Sequence, residues 1–324
     1  ISQDGNQIHG ITDASILIQP NTGYGDANQV RRLIKEFNID AIFLITDPRY
    51  FTWLFQIENE IRKTIPIIYL NIWDDYPAPR YNEAFYESCD LLMGISKQTV
   101  NINKIVLGNK AKDKIIKYVP HGLDSNVFCP ITKDSPNYKE YTDFKKKMFK
   151  VEPEFVLFYN SRNIRRKQVS DTILAWKYFV DHLPKDKQDK VKFVLHTEAI
   201  SDHGTDLIAV KDYLFGDDYD NILFSTGKIS PIQLNYIYNI ADAQILLTSN
   251  EGWGLSLTEA ILSGTPIIAN VTGGMQDQMR FTDDKGDWFT PDSVVPSNHT
   301  GYHKNHGEWA FPVFPTNRSL QGSP

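Results

Sequence analysis

Residues 244–263 place an apolar run, a glycine turn and a helix-forming stretch in direct succession. The run at 244–249 is short and β-branched enough to predict a buried strand. Residues 255–263 have helical composition and stop before a glycine, a common residue just past a helix end. Gly252 and Gly254 supply the tight turn between the two. A strand that leads through such a turn into a helix is the repeating unit of α/β folds with a parallel sheet.

Strand and helix signals alternate through the rest of the chain. In the first half, apolar runs predict strands at 14–18, 41–46, 65–70, 90–95 and 115–119. Helical stretches near 26–37, 50–63, 80–88 and 96–107 separate these runs. In the second half, strands are predicted at 155–159, 191–196, 222–224, 244–249 and 266–270. The first helix of the second half carries its apolar residues on one face: Val169, Ile173, Trp176, Val180 and Leu183.

This alternation predicts the α/β class, with two doubly wound, Rossmann-like domains that face each other across a cleft. We expect the first domain at 1–120 and the second at 151–324. Residues 121–150 are rich in Pro, Asp, Lys and Tyr without a sustained apolar period. They are predicted to form a linker with a short helix.

The turn at Gly252 and Gly254 leaves backbone N–H groups uncovered at the start of a predicted helix. Unpaired donors and the positive end of the helix dipole favour a phosphate there. Glu259 lies one turn into the helix, and helical side chains lean toward the amino end, so its carboxylate can reach back beside that site. It could then accept hydrogen bonds from ribose hydroxyls. Glu251, on the turn, is positioned to meet sugar hydroxyls beyond the phosphates. Taken alone, each glutamate is more readily interpreted as a solvated surface acid, and it is the spacing together with the surrounding motifs that favours a binding role.

A basic loop precedes the first helix of the second half. It carries Arg162, Arg165, Arg166 and Lys167 between a strand end and a helix start, where α/β sheets bind ligands. A diphosphate beside two carboxylates needs cations, because buried charge is tolerated only when it is paired. The alternative is a solvated basic loop.

Four segments resemble the retaining GT-B glycosyltransferases of the glycosyl transferases group 1 family. The most specific is EGWGLSLTEAILSGTPIIANVTGG, residues 251–274, which is similar to the E-x7-E region of that family. NSRNIRRKQ (160–168) is similar to its Arg-x4-Lys signature, and FSTGKISPIQL (224–234) to its nucleobase-binding stretch. VPHGLDSNVF (119–128) resembles the passage between its domains. The resemblance implies a GT-B fold, with an acceptor-side first domain and a donor-binding second domain.

The resemblance also implies roles for individual residues. Arg162 and Lys167 would hold the donor diphosphate, Glu251 would position the sugar, and Glu259 would hold the ribose. The remaining donor contacts would come from the glycine turn and the nucleobase stretch: Gly252, Trp253, Gly254, Leu255, Lys228 and Ile229. The nucleoside diphosphate sugar is the co-substrate, and no further cofactor and no metal are expected.

The first half holds weaker candidates. Asp74 and Asp75 follow a predicted strand where the family often has a histidine facing the sugar. Either could replace that histidine or cap the next helix, and capping is favoured because aspartate commonly caps helices. His121 matches a histidine permitted in the interdomain motif, but a structural role is favoured for a lone histidine. Asp218 and Asp220 fit the Asp-x-Asp pattern of metal-dependent transferases with another fold, and here they predict a turn.

Composition excludes several other classes. At 324 residues the chain can form two cores, and its net charge of −6 argues against binding nucleic acid, which needs a broad basic surface. Two cysteines are too few for a disulfide framework, and no apolar run approaches the length of a membrane helix. We therefore predict a cytoplasmic protein, with peripheral membrane contact left open. The start at Ile1 and the proline-rich last 54 residues suggest truncation at both ends.

The predicted function is transfer of a sugar from a nucleoside diphosphate sugar to a hydroxyl of an unknown acceptor, with the retention of configuration that the resemblance implies. A catalytically silent module that binds nucleotide sugars is the main alternative. An NAD-dependent oxidoreductase is disfavoured, because its Gly-x-Gly-x-x-Gly pattern would need glycine where Leu257 stands.

Overall fold

The computed structural model describes residues 21, 23–290 and 297–315. The strand predicted at 14–18 lies outside these residues. Within them the chain forms two parallel sheets, one of four strands and one of six, with helices between the strands. This is the predicted α/β class.

The first sheet has four parallel strands in the order β1-β2-β3-β4. The strands are β1 Ile42–Ile45, β2 Ile67–Asn71, β3 Leu91–Gly94 and β4 Ile115–Tyr118. The accompanying helices are α1 Ala27–Phe37, α2 Thr52–Phe55, α3 Glu58–Ile61, α4 Glu83–Ser88 and α5 Lys97–Leu107. All four strands lie where the apolar runs at 41–119 predict them.

The prediction of one continuous helix near 50–63 is wrong. The chain forms a 3-10 turn at Pro48–Phe51 and then the separate helices α2 and α3. Between these helices Ile57 has φ −111° and ψ 12°, outside the helical region. Leu54 and Ile61 are nevertheless both buried in the first core, so the apolar pattern is satisfied without one continuous helix.

The second sheet has six parallel strands in the order β10-β9-β8-β5-β6-β7. The strands are β5 Phe155–Asn160, β6 Val191–His196, β7 Ile222–Ser225, β8 Ala243–Leu246, β9 Ile267–Asn270 and β10 Ala310–Val313. Its helices are α6 Tyr138–Met148, α7 Val169–Asp181, α8 Lys185–Gln188, α9 Leu207–Phe215, α10 Pro231–Ile240, α11 Leu255–Leu262 and α12 Met275–Met279. The five strands predicted in this half are present, and β10 is an additional edge strand.

The apolar face predicted for α7 is the face that packs on the second sheet. Val169, Ile173, Trp176 and Val180 are buried, with Trp176 against Phe193 of β6 at 5.3 Å between ring centroids. Burial of an aromatic side chain of this size contributes on the order of 3 kcal/mol. This packing holds α7 against the sheet and so positions the basic loop that precedes it.

Strand order reverses at β5, which pairs with β6 on one side and with β8 on the other. In open α/β sheets, ligands bind at the carboxyl ends of the strands where the order reverses. The loops after β5 and β8 meet at this point. One is the basic loop and the other is the Gly252–Gly254 turn.

Hydrogen bonds between buried polar groups connect the two halves. They include Asn250 Nδ2 to Asp74 Oδ2 (2.7 Å), Gln276 Nε2 to Gln98 Oε1 (3.0 Å) and the Lys97 backbone N–H to Asp277 Oδ2 (2.9 Å). The helix α6, in the segment predicted to be a linker, packs with the second half, where Tyr141 donates to the backbone oxygen of Asn239 at 3.1 Å.

The domain limits at 120 and 150 stay a prediction. None of the helices in the described ranges is long and apolar enough to cross a membrane.

Candidate active site

A cleft of about 840 Å³ lies between the carboxyl ends of the two sheets. Its walls are the loops that follow β1, β2, β3 and β4 on one side and β5, β6, β7 and β8 on the other. All of the predicted site residues except Ile229 line this cleft. The side chain of Ile229 packs, half-buried, against the second core. Its predicted role concerns the backbone and stays a prediction.

The glycine turn folds as a tight lead into α11. Gly254 has φ 86°, a left-handed conformation that favours glycine, and no side chain caps the helix. Of its first-turn backbone N–H groups, that of Leu257 donates to the Gly254 carbonyl at 2.9 Å, whereas those of Leu255 and Ser256 have no acceptor among the described residues. A second glycine turn packs on the first, since the Gly274 N–H donates to the Glu251 carbonyl at 3.1 Å. A side chain at Gly273 would place its Cβ 1.8 Å from that carbonyl oxygen.

Gln278, which the sequence pattern does not single out, fixes this turn from behind. Its Nε2 donates to the carbonyl oxygens of Trp253 (2.6 Å) and Gly254 (3.2 Å). The indole N–H of Trp253 donates to Thr258 Oγ1 at 2.9 Å, and Thr258 Oγ1 lies 2.9 Å from Gln278 Oε1. Trp253 therefore lines the cleft as a rigid wall.

Glu259 is not a solvated surface acid. Its Oε2 accepts hydrogen bonds from the Tyr238 hydroxyl at 2.6 Å and from Asn160 Nδ2 at 3.2 Å. Burial raises the pKa of Glu259, and these two donors oppose that rise. Oε1 has no hydrogen-bond partner in the described part of the chain. The carboxylate is thus held through one oxygen beside the amino end of α11.

The predicted sugar carboxylate and the predicted diphosphate lysine contact each other. Lys167 Nζ donates to Glu251 Oε2, and the two side chains are 9% and 14% exposed. Arg166 Nη1 donates to the same oxygen at 3.2 Å and to the Asn250 carbonyl at 2.7 Å. Burial lowers the pKa of Lys167, while the charge of Glu251 opposes that change. The sequence predicts that these residues share a site, but not that they form an ion pair.

Arg162 and Lys228 lie exposed in the cleft. Neither side chain has a hydrogen-bond or ion-pair partner among the residues that the structure describes. The basic loop is therefore divided, with Lys167 and Arg166 paired to Glu251 and Arg162 open to a ligand. Arg165 is exposed and lies outside the cleft.

Asp74 lies on the wall formed by the first sheet and is buried. The favoured interpretation of Asp74 or Asp75 as a helix cap is wrong, because the next helical segment begins only at Arg80 and Pro79 occupies its cap position. The Asp74 carboxylate instead accepts a hydrogen bond from Asn250 Nδ2. Burial raises the pKa of Asp74, and the nearby Arg166 opposes the rise. His121 lies exposed at the rim of the cleft.

Asp218 lies in a turn after α9, and Asp220 is exposed two residues further on, both away from the cleft. The predicted turn is therefore present. In the described ranges, no group of three or more His, Cys, Asp or Glu side chains is arranged to hold a metal ion.

Residues 140–294 match the model of the glycosyl transferases group 1 family. The match includes three of the four segments quoted for the resemblance, and residues 119–128 lie outside it. A curated relative, mannosylfructose-phosphate synthase of Agrobacterium fabrum, is 22% identical over 191 residues. The alignment covers 59% of this chain and 39% of that relative.

Solved glycosyltransferases share the architecture. Sucrose-phosphate synthase from Thermosynechococcus elongatus superimposes with a TM-score of 0.59 at 15% identity, covering 90% of this chain and 64% of that one. A glycosyltransferase from Rickettsia africae gives a TM-score of 0.64 at 16% identity, with coverage of 93% and 71%. Anabaena HepE in complex with UDP and glucose gives 0.58 at 16%, with coverage of 79% and 67%. The fold is the GT-B fold of these proteins.

Proposed function

Because residues 140–294 match the model of the glycosyl transferases group 1 family, we propose that the chain transfers a sugar from a nucleoside diphosphate sugar to an acceptor hydroxyl. The proposal includes retention of the anomeric configuration and independence from metal ions. One observation carries it. Arg162, Lys167, Glu259 and the uncapped start of α11 converge on one cleft, at the point where strand order reverses.

The diphosphate binds between the amino end of α11 and the basic loop. An uncapped helix start favours anions through its free N–H groups and its dipole. Arg162 is exposed in the cleft and can reach phosphate oxygens without breaking an existing pair. Lys167 is the second cation. Together these groups neutralise about two negative charges, which is why the proposal needs no metal ion.

The ribose binds to Glu259. Its Oε2 is occupied by Tyr238 and Asn160, which orient the carboxylate and leave Oε1 for a ribose hydroxyl. A hydrogen bond with an ionised acceptor contributes about 1.5–3 kcal/mol, so this contact is a substantial part of nucleotide affinity.

The transferred sugar binds to Glu251, and binding it changes the local ion pairs. In the proposed complex Lys167 Nζ no longer donates only to Glu251, because it also donates to a phosphate oxygen. The freed lone pairs of Glu251 then accept from sugar hydroxyls. Lysine suits this exchange because its ammonium is a compact charge on a flexible stem.

Catalysis follows from stabilising the leaving group. As the bond between sugar and diphosphate breaks, negative charge grows on the diphosphate oxygens. Donors that are already oriented toward those oxygens bind the transition state more tightly than the ground state. Arg162, Lys167 and the Gly254–Leu255 backbone supply these donors. We assign no protein base, because the departing diphosphate oxygen can take the proton that the acceptor hydroxyl loses when the new bond to the sugar forms.

The solved neighbours suggest which donor to test first. Anabaena HepE is described in complex with UDP and glucose and with UDP-glucose. We therefore propose a UDP sugar as the first candidate donor, with GDP and ADP sugars as the alternatives. A cytoplasmic location is part of the proposal, because two free cysteines suit a reducing compartment.

A thermal-shift panel of UDP, GDP, ADP and their glucose conjugates tests the donor site. A ligand at a hundredfold excess over its dissociation constant stabilises the protein by about 2.7 kcal/mol. We expect one nucleotide to raise Tm clearly above the others. No shift with any of the six compounds would contradict the proposed site. A shift without release of free nucleotide, in the presence of varied acceptors, would favour the silent binding module.

A further inference from the structure

Arg166 connects the two loops that meet where strand order reverses. Its backbone carbonyl accepts from the Ser249 N–H at 2.8 Å and from the Thr248 hydroxyl at 3.0 Å. Its side chain then turns into the cleft and reaches Asn250 and Glu251. Both ends of the residue therefore hold the loop after β8, the loop that carries Glu251.

The guanidinium of Arg166 holds Glu251 in a fixed direction. Nη1 donates to the Asn250 carbonyl at 2.7 Å and to Glu251 Oε2 at 3.2 Å. Because the guanidinium is planar, a group held through one of its N–H bonds determines where its other N–H bonds point. The backbone bond to Asn250 thus directs the remaining N–H toward Glu251.

Arg166 can balance the charge of the nearby carboxylates while Lys167 contacts the diphosphate. Two carboxylates, Asp74 and Glu251, face two cations, Lys167 and Arg166, at this end of the cleft. When Lys167 contacts the diphosphate, as under the proposed function, Arg166 is the remaining cation beside both carboxylates. Asp74 Oδ1 is buried without a hydrogen-bond partner among the described residues, so this pair of acids depends strongly on a nearby cation.

We propose that Arg166 is a positioning residue for the donor sugar. It keeps Glu251 paired with a cation and directed at the sugar hydroxyls while Lys167 is engaged by the diphosphate. The inference rests on the proposed function and assigns the two adjacent cations different tasks. Lys167 binds phosphate, whereas Arg166 acts through Glu251 and touches no part of the diphosphate.

The test compares bare and sugar-linked nucleotide in the full chain. Titration calorimetry is run with UDP and UDP-glucose, or with GDP or ADP and its glucose conjugate if the panel selects that base. The measured quantity is the ratio of the two dissociation constants. We expect Arg166→Ala to reduce the advantage of the sugar conjugate over the bare diphosphate by about tenfold, while affinity for the bare diphosphate changes less than threefold.

Two further variants make the result specific. Arg166→Lys keeps the charge but not the planar geometry, so it should recover part of the lost advantage. Arg165→Ala removes a neighbouring cation that lies outside the cleft and should leave the ratio unchanged. Circular dichroism checks that each variant is folded.

A merely structural role for Arg166 would weaken both ligands by the same factor, and that result would overturn the inference. An unchanged ratio in a folded Arg166→Ala variant would overturn it as well. Should the wild-type chain bind none of the nucleotides, the proposed function itself has failed. The two failures are therefore distinguishable.

Discussion

Replacement of Glu251 by glutamine should strengthen binding of the bare nucleoside diphosphate. In the free protein Lys167 and Arg166 both donate to Glu251 Oε2, so the carboxylate competes with a phosphate for the same cation. Glutamine keeps the shape of the side chain and one acceptor oxygen but removes the charge. Lys167 then becomes more available to the diphosphate.

The size of the effect follows from the burial of the ion pair. A hydrogen bond that involves an ionised group contributes about 1.5–3 kcal/mol, and these side chains are only 9% and 14% exposed. Because glutamine retains a weaker acceptor, we expect about 1–2 kcal/mol of that interaction to be lost. Affinity for the diphosphate should therefore rise about 5- to 30-fold.

The stability of the free protein and its stabilisation by the diphosphate should change in opposite directions. The free Glu251→Gln protein should be less stable than wild type, because Lys167 becomes a buried cation with a weaker partner. Addition of the diphosphate should then raise its Tm by more than in wild type. The intact nucleotide sugar should lose most of its advantage over the bare diphosphate, since its sugar has lost an ionised acceptor.

Calorimetry with the diphosphate and its glucose conjugate measures both affinities. Glu154→Gln is the matched control, because Glu154 also pairs with two lysines, Lys187 and Lys190, but at the opposite end of β5. The reasoning is refuted if Glu251→Gln binds the bare diphosphate no more tightly than wild type does.

Three further predictions concern the same cleft, and a fourth concerns the backbone of the basic loop beside it. Arg162→Ala and Lys167→Ala should each lose about 2–4 kcal/mol of transition-state stabilisation, measured as a lower kcat/KM for the donor. Turnover near the wild-type rate in the double variant would contradict the assignment of the diphosphate site. Donor affinity should weaken on acidification through the pKa of Glu259, which burial raises above 4.5, because the protonated acid is a poorer acceptor; calorimetry across pH should show that Glu259→Gln loses this dependence. Gln168 holds a left-handed conformation at φ 49°, so Gln168→Gly should stabilise the protein by up to about 1 kcal/mol in denaturant unfolding, and a lower midpoint would contradict that account. EDTA should leave donor turnover nearly unchanged, whereas a strict Mg²⁺ or Mn²⁺ requirement would disprove metal independence.

The regular elements were predictable where a local apolar pattern coincides with a buried surface. The strand at 155–159 is a continuous apolar run, and the run at 191–196 is interrupted only by Lys192 before it ends at His196, as expected for strands covered on both faces. The residues of α12 could not be recognised in this way. Met275 and Met279 are its only apolar residues, and Gln276, Asp277 and Gln278 between them are polar yet buried, so this short, mostly polar pattern does not identify a buried helix. Their hydrogen-bond partners come from distant parts of the chain.

The contents of the cleft were predictable, but its internal pairing was not. Glycine spacing and charge identify the turn at Gly252–Gly254 and the basic loop, because their chemistry is local. The contact between Lys167 and Glu251 joins residues 84 positions apart. It depends on β5 lying next to β8, and no local pattern specifies that strand order. The hydrogen bond between Asp74 and Asn250 depends in addition on how the two sheets face each other.

The most direct test of the central claim is the release of free nucleoside diphosphate from its sugar conjugate, measured with a panel of hydroxyl acceptors. We predict that the wild-type chain and Arg165→Ala release it, and that the Arg162→Ala, Lys167→Ala double variant does not. Nucleotide binding without release under any of these conditions, or equal release by the double variant, would contradict the assignment of this cleft as a sugar-transfer site.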